Sequence, residues 1–190
     1  MGSTTASRVV CIAQNIDLLF FAKDAKLEGE YDFLFQSLFN DSTLYKRIIE
    51  LLASKAIGLT RASIVEALKI SDNGVLTETL KNLESCDFIR SYSAFGKRTK
   101  ETLYQLVDLF SLFYLRYVKG YKGKDENHWS NMQDSGSKNA WSGYAFEQVC
   151  LEHINKIKQK LGITGIASEV CSWQKKGNSS KNEITLDDLF

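Results

Sequence analysis

The chain has 190 residues, 44% of them hydrophobic, which is enough for one medium or two small packed units and excludes a purely disordered tail. Lys and Arg total 24 against 23 Asp and Glu, so a net charge of +1 leaves no overall field toward nucleic acid or an anionic membrane, and any basic function must be local. Proline is absent where average usage would place roughly nine, a composition that favours long helices.

In chain order, "RVVCIAQNIDLLFFAK" holds two apolar runs that Gln14, Asn15 and Asp17 split below the length of a signal or membrane segment. Over 27–39, Tyr31, Leu34, Phe35 and Leu38 recur at helical spacing and predict an amphipathic helix. Residues 1–41 are accordingly read as an N-terminal helical segment. A second helix is expected from a cap at Asp41 or Ser42, through Leu44, Ile48, Leu51 and Leu52, to a stop at Gly58. A short third follows, capped by Thr60 and carrying Ile64, Val65 and Leu68 inward. "SDNG" at 71–74 reads as a turn, after which Leu76, Leu80 and Leu83 mark another helix.

Two β-prone runs come next. Phe88, Ile89, Tyr92 and Phe95 precede, and Leu103, Leu106 and Val107 follow, the turn Gly96-Lys97-Arg98-Thr99-Lys100. Helices followed by a two-stranded hairpin is the order of a winged-helix domain, placed at about 42–108 with a trailing helix to 119. "LFSLFYLRYV" is that helix, apolar except for Arg116 and expected to pack back on the domain. Gly120–Asn139 reads as a loop and the best boundary, leaving a linker at 120–140. Over 141–163 one long helix is predicted, with Phe146, Val149, Cys150, Ile154, Ile157 and Leu161 on one face; "ITGIASEVCSWQKKG" then suggests a strand. The fold class is mostly α with small β: a winged-helix domain followed, at 141–190, by a truncated α/β nuclease-like domain.

Lys97, Arg98 and Lys100, three cations in four residues on a hairpin tip, are the candidate nucleic-acid contacts, each worth about one unit of salt dependence if it meets a phosphate. A solubilising tip is the competing reading. The helix before the hairpin decides against sequence readout: Glu78, Glu84 and Asp87 outnumber Lys81 and would repel a major groove. Glu147, joined by Glu183, Asp187 and Asp188, could in principle hold a divalent cation for phosphodiester cleavage, but the lysine on a central strand that such sites need is not supplied, and an early-helix carboxylate is the simpler reading.

The four cysteines, Cys11, Cys86, Cys150 and Cys171, are scattered, which points to reduced, mostly buried thiols of a cytoplasmic protein and away from zinc. His128 and His153 have no partner at triad or ligand spacing. Trp129, Trp141 and Trp173, with Tyr114 and Tyr117, read as core or interface anchors and not as base-stacking platforms, because they are spread through apolar runs and not interleaved with Lys or Arg. No phosphate-binding G-x-x-x-x-G-K-[ST] loop occurs, so the chain should not bind ATP, and no cofactor and no metal are expected.

Several stretches carry a resemblance: "AQNIDLLFF" (13–21), "LFQSLF" (34–39), "GLTRASI" (58–64), "CDFIRSYSAFGKRTKETLYQLVDLFSLFYLRYV" (86–118) and "WSGYAFEQVCLEHINKIKQKLGI" (141–163). Together they resemble the C-terminal part of a bacterial and archaeal family of predicted AAA+-type ATPases, whose members run ATPase core, lid, winged helix and nuclease-like domain. The resemblance implies a lid remnant at 1–41, and makes Glu147 the match to the first-helix acid of a PD-(D/E)XK-like fold, a vestigial acidic residue here. The family's nucleotide-binding core has no counterpart before residue 13. In "NEITLDDLF", Thr185 follows Ile184 where the family pattern has Asp, and the family's Glu-x-Lys strand is missing. The expected function is therefore that of a non-enzymatic fragment of such an ATPase, acting through a protein partner. Weak DNA contact by the wing is the alternative, a metal-dependent nuclease a weaker one, with no membrane association and a homodimer as the assembly open sheet edges invite.

Overall fold

The computed structural model describes residues 11–55, 58–92, 102–132 and 135–166. It is mostly helical with one small three-stranded antiparallel sheet, as composition and periodicity predict. The N-terminal helices are α1 (Ile12–Phe20) and α2 (Glu30–Leu38), shorter than the predicted 27–39. Tyr31 and Phe35 of the predicted stripe are buried, whereas Leu38 is 47% exposed, because the chain leaves the helix for extended backbone at Phe39.

Helix α3 (Thr43–Ala53) begins where Asp41 Oδ1 accepts from Thr43 N at 3.0 Å. It stops well before Gly58, which instead starts strand β1 (Leu59–Thr60). Gly58 has φ +83°, and a Cβ there would lie 2.6 Å from Tyr104 O, so only glycine lets the chain turn flat onto the sheet. Gly58→Ala is expected to cost roughly 2 kcal/mol. An unchanged thermal midpoint would contradict that account of β1.

Thr60 ends β1 and caps α4 (Arg61–Leu68), its Oγ1 accepting from Ser63 N at 3.2 Å. Asn73 does the same for α5 (Gly74–Ser85), accepting from Leu76 N at 3.2 Å. Strands β2 (Ile89–Tyr92) and β3 (Leu103–Leu106) pair from Ile89↔Leu106 to Tyr92↔Leu103, and β1 joins the free edge of β3, giving the order β1-β3-β2. The expected β-position Phe95 lies outside the described residues.

One core unites α2 through the sheet: Phe35, Ile48, Ile49, Leu52, Ile64, Leu76, Leu83 and Ile89 are at most 2% exposed and cluster together. Phe35 meets Phe88 at 4.9 Å and Phe39 stacks on Tyr45 at 3.8 Å, so aromatic rings tie α2 to the root of the hairpin.

The helix expected at "LFSLFYLRYV" is α6 (Leu109–Phe113), capped by Asp108, which accepts from Ser111 N at 2.8 Å. It widens into a π-helical turn over Tyr114–Val118, closed by Lys119 N donating to Tyr114 O at 2.8 Å. As expected, it packs back on the core, with Tyr114 stacked on Tyr31 at 4.6 Å.

The stretch read as a loop, Gly120–Asn139, contains a helical turn, α7 (His128–Asn131), and α8 already starts at Gly136. The long helix predicted over 141–163 is two: α8 (Gly136–Glu152) and α9 (Ile154–Lys160), parted at His153, where φ is −102° and ψ is 13°. On its predicted inner face Phe146 is 70% and Leu161 67% exposed, while Gln148 is 1% exposed. Periodicity assigns a face to a helix but not the partner that would cover it. Of the strand expected over 163–177, residues 163–166 form a turn, and the rest lies outside the described residues.

Candidate functional site

Lys97, Arg98 and Lys100 lie outside the described residues; the strands on either side of them, β2 and β3, pair as far as Tyr92↔Leu103. Beside the sheet, α5 presents Val75, 61% exposed, together with Glu78, Lys81 and Glu84, all exposed. Glu84 faces β2, its Oε1 accepting from Ser91 N at 3.2 Å and from Ser91 Oγ.

Two arginines of the neighbouring helices α3 and α4 are engaged within the fold. Arg61 donates from Nε to Asp72 Oδ1 at 2.7 Å and from Nη2 to Asn73 O at 3.0 Å, clasping the turn that starts α5. Arg47 reaches from α3 to Leu68 O at 2.7 Å and satisfies the last turn of α4. Likewise Lys46 pairs with Asp32 at 2.6 Å and Lys119 with Glu50 at 2.6 Å. Pattern reading saw none of these bonds, because each joins residues at least eleven positions apart.

Glu147 sits half-buried on α8. Its proposed companions Glu183, Asp187 and Asp188 lie outside the described residues, and among the described residues no group of three His, Cys, Asp or Glu side chains converges on one point. One turn before it, Tyr144 donates to Leu106 O at 2.8 Å and lies under Arg116, whose guanidinium carbon stands 5.6 Å from the ring centroid. Burial, against the opposing pull of Arg116, pushes the Tyr144 hydroxyl up to about 12, so it stays a donor to the sheet.

The expectation of mostly buried cysteines is corrected: Cys11 and Cys86 are exposed and Cys150 is half-buried, because each sits at or near a helix end or an outer face. His128 packs between Phe21, at 5.0 Å, and Tyr121, at 4.2 Å. His153 places Nδ1 3.0 Å from Val149 O at the break between α8 and α9. Trp129 is 3% exposed and meets Phe113 edge-on at 4.9 Å, Trp141 meets Phe113 at 5.2 Å, and Trp173 lies outside the described residues.

Asp17 was the residue sequence reading passed over. Only 3% exposed, it accepts from Trp129 N at 2.7 Å, from Ser130 N at 3.0 Å and from Ser130 Oγ, fixing α1 to the first turn of α7. Its position within an apolar run was a signal, since a lone carboxylate there needs donors. No family model, curated protein or solved structure matches this chain.

Proposed function

We propose that the chain is a non-enzymatic, winged-helix docking module related to the AAA+-type ATPases it resembles, working in the cytoplasm through a protein partner. The element order α3-β1-α4-α5-β2-β3 and the sheet order β1-β3-β2 support the winged-helix reading. One observation carries the choice of protein over DNA. The exposed side chains of α5 include Val75, Glu78, Lys81 and Glu84, so carboxylates outnumber cations there, while Arg61 at its start is spent on Asp72 and Asn73 O and Arg47 on Leu68 O. A helix so charged is repelled by the phosphates that would flank it in a major groove, whereas an exposed valine one turn from Glu78 suits a basic protein surface. No described helix is long and apolar enough to cross a membrane.

A labelled duplex of ~20 base pairs, titrated at low and at physiological salt, tests the wing. The docking reading expects the Lys97→Ala/Arg98→Ala/Lys100→Ala variant to bind as wild type does. Salt-sensitive binding that disappears in the variant, with a loss of about 0.9 in log–log slope per contact, would transfer the function to the nucleic-acid alternative. For the nuclease alternative, Glu147→Gln should leave duplex integrity in Mg²⁺ or Mn²⁺ the same as wild type does; cleavage abolished by that change would establish it.

A further inference from the structure

A different surface points to another ligand. "RYVKGYKGK", residues 116–124, sets Arg116, Lys119, Lys122 and Lys124 among Tyr117 and Tyr121 with no acid between them. Tyr117 therefore does not lie only in an apolar run; it belongs to an alternation of cations and aromatic rings. This segment forms one wall of a groove of about 460 Å³ whose lining includes Arg116, Tyr117, Tyr121, His128, Met132 and Ser137. That volume suits one nucleotide-sized unit.

Three of the four cations are available. Arg116, Lys122 and Lys124 are exposed, and among the described residues none has a carboxylate at ion-pair distance; Lys119 is held by Glu50. Arg116 already lies over the Tyr144 ring, leaving its guanidinium edge for a phosphate. In sequence the segment is followed directly by Asp125 and Glu126, and in space Glu50 shares a shallow cavity with Arg116 while being held by Lys119. Asp125 is turned away, accepting from Asn131 Nδ2 and Asn127 N at 2.9 Å each, and these bonds hold its carboxyl below the usual range. The rings brace one another, Tyr117 against Trp129 at 5.1 Å and His128 between Phe21 at 5.0 Å and Tyr121 at 4.2 Å, so what they offer the groove is a preset wall of ring edges.

We propose that this groove binds single-stranded nucleic acid, with a base against the ring edges of Tyr117, Tyr121 and His128 that line it and the phosphodiester strand running past Arg116, Lys122 and Lys124. The rings set it apart from a site for acidic polypeptide, which needs cations alone. Lys122 and Lys124 do not line the cavity, and set it apart from a mononucleotide site, since cations beyond the cavity serve a polyanion longer than one unit. The proposal goes beyond protein docking and uses neither α5 nor the hairpin.

The test is anisotropy of a labelled twelve-nucleotide oligo-dT with the full chain at 50 and 150 mM salt. Wild type should bind saturably at 50 mM. Arg116→Ala/Lys122→Ala/Lys124→Ala should lose at least tenfold in affinity and about two units of log–log salt slope, at roughly 0.7 per single-strand contact, with its thermal midpoint kept because all three side chains are exposed. Should that variant unfold, Lys122→Glu alone must weaken binding in the same direction. Unlabelled duplex and polyglutamate should each compete at least tenfold less well than oligo-dT. Absence of saturable binding at 50 mM salt, equal competition by duplex, by polyglutamate or by dTMP, or loss of affinity in the hairpin variant instead of this one would each overturn the proposal.

Discussion

Replacing Asp17 with Ala is expected to destabilise the protein by about 3–5 kcal/mol, lowering the thermal midpoint by roughly 10 °C. The carboxylate is nearly sealed from water and accepts from two backbone N–H groups and one hydroxyl, on residues more than a hundred positions away. Alanine removes the acceptor but leaves the donors of Trp129 and Ser130 without a partner, and orphaning a buried donor costs more than a hydrogen bond's net worth. The damage should spread from there. Trp129, Phe113 and Phe21 form their own buried cluster, and Asp17 is what holds the first turn of α7 against α1. Asp17→Asn keeps the size and one acceptor oxygen but turns an amide toward a donor, so it should lose about 1–2 kcal/mol. Urea unfolding of the three proteins checks the series, and an alanine variant within ~0.5 kcal/mol of wild type would remove Asp17 from the account.

The second large effect concerns Phe35. It is fully buried, 4.9 Å from Phe88 and 5.0 Å from Tyr31, and sits where α2 meets the base of the hairpin. Phe35→Ala should cost about 3–5 kcal/mol, the transfer and cavity terms acting together, while Phe35→Leu should cost much less because the cavity is mostly filled. With total stabilities of about 5–15 kcal/mol, the alanine variant should stand near its midpoint at modest urea concentrations. Independent unfolding of α2, seen as a separate early transition with the later one unmoved, would mean that α2 does not share the core.

Legibility followed range. The cap at Thr60, the apolar spacing of α5 and the two strands of the hairpin were readable because each signal lies within a few residues of what it controls. Strand β1 was not: two residues show no alternation, and what makes them a strand is β3, reached more than forty residues later. Nor was α7, four residues in a polar stretch whose first turn is held by Asp17. The clasps made by Arg47 and Arg61 were not legible either, because their partners are carbonyls and a carboxylate that only the fold brings within reach. Conversely the "RYVKGYKGK" alternation was present to be read, and was hidden by the apolar run that overlaps it.

That α5 faces a protein and not a duplex is decided by the affinity of the wild-type chain and of Glu78→Lys for ~20-base-pair duplexes of several sequences at 0.15 M salt. The wild type should show no saturation below about 10 μM and no sequence preference, and the exchange of carboxylate for ammonium should strengthen binding severalfold equally for all sequences. Submicromolar wild-type binding that distinguishes one sequence from another, weakened by Glu78→Lys, would contradict it.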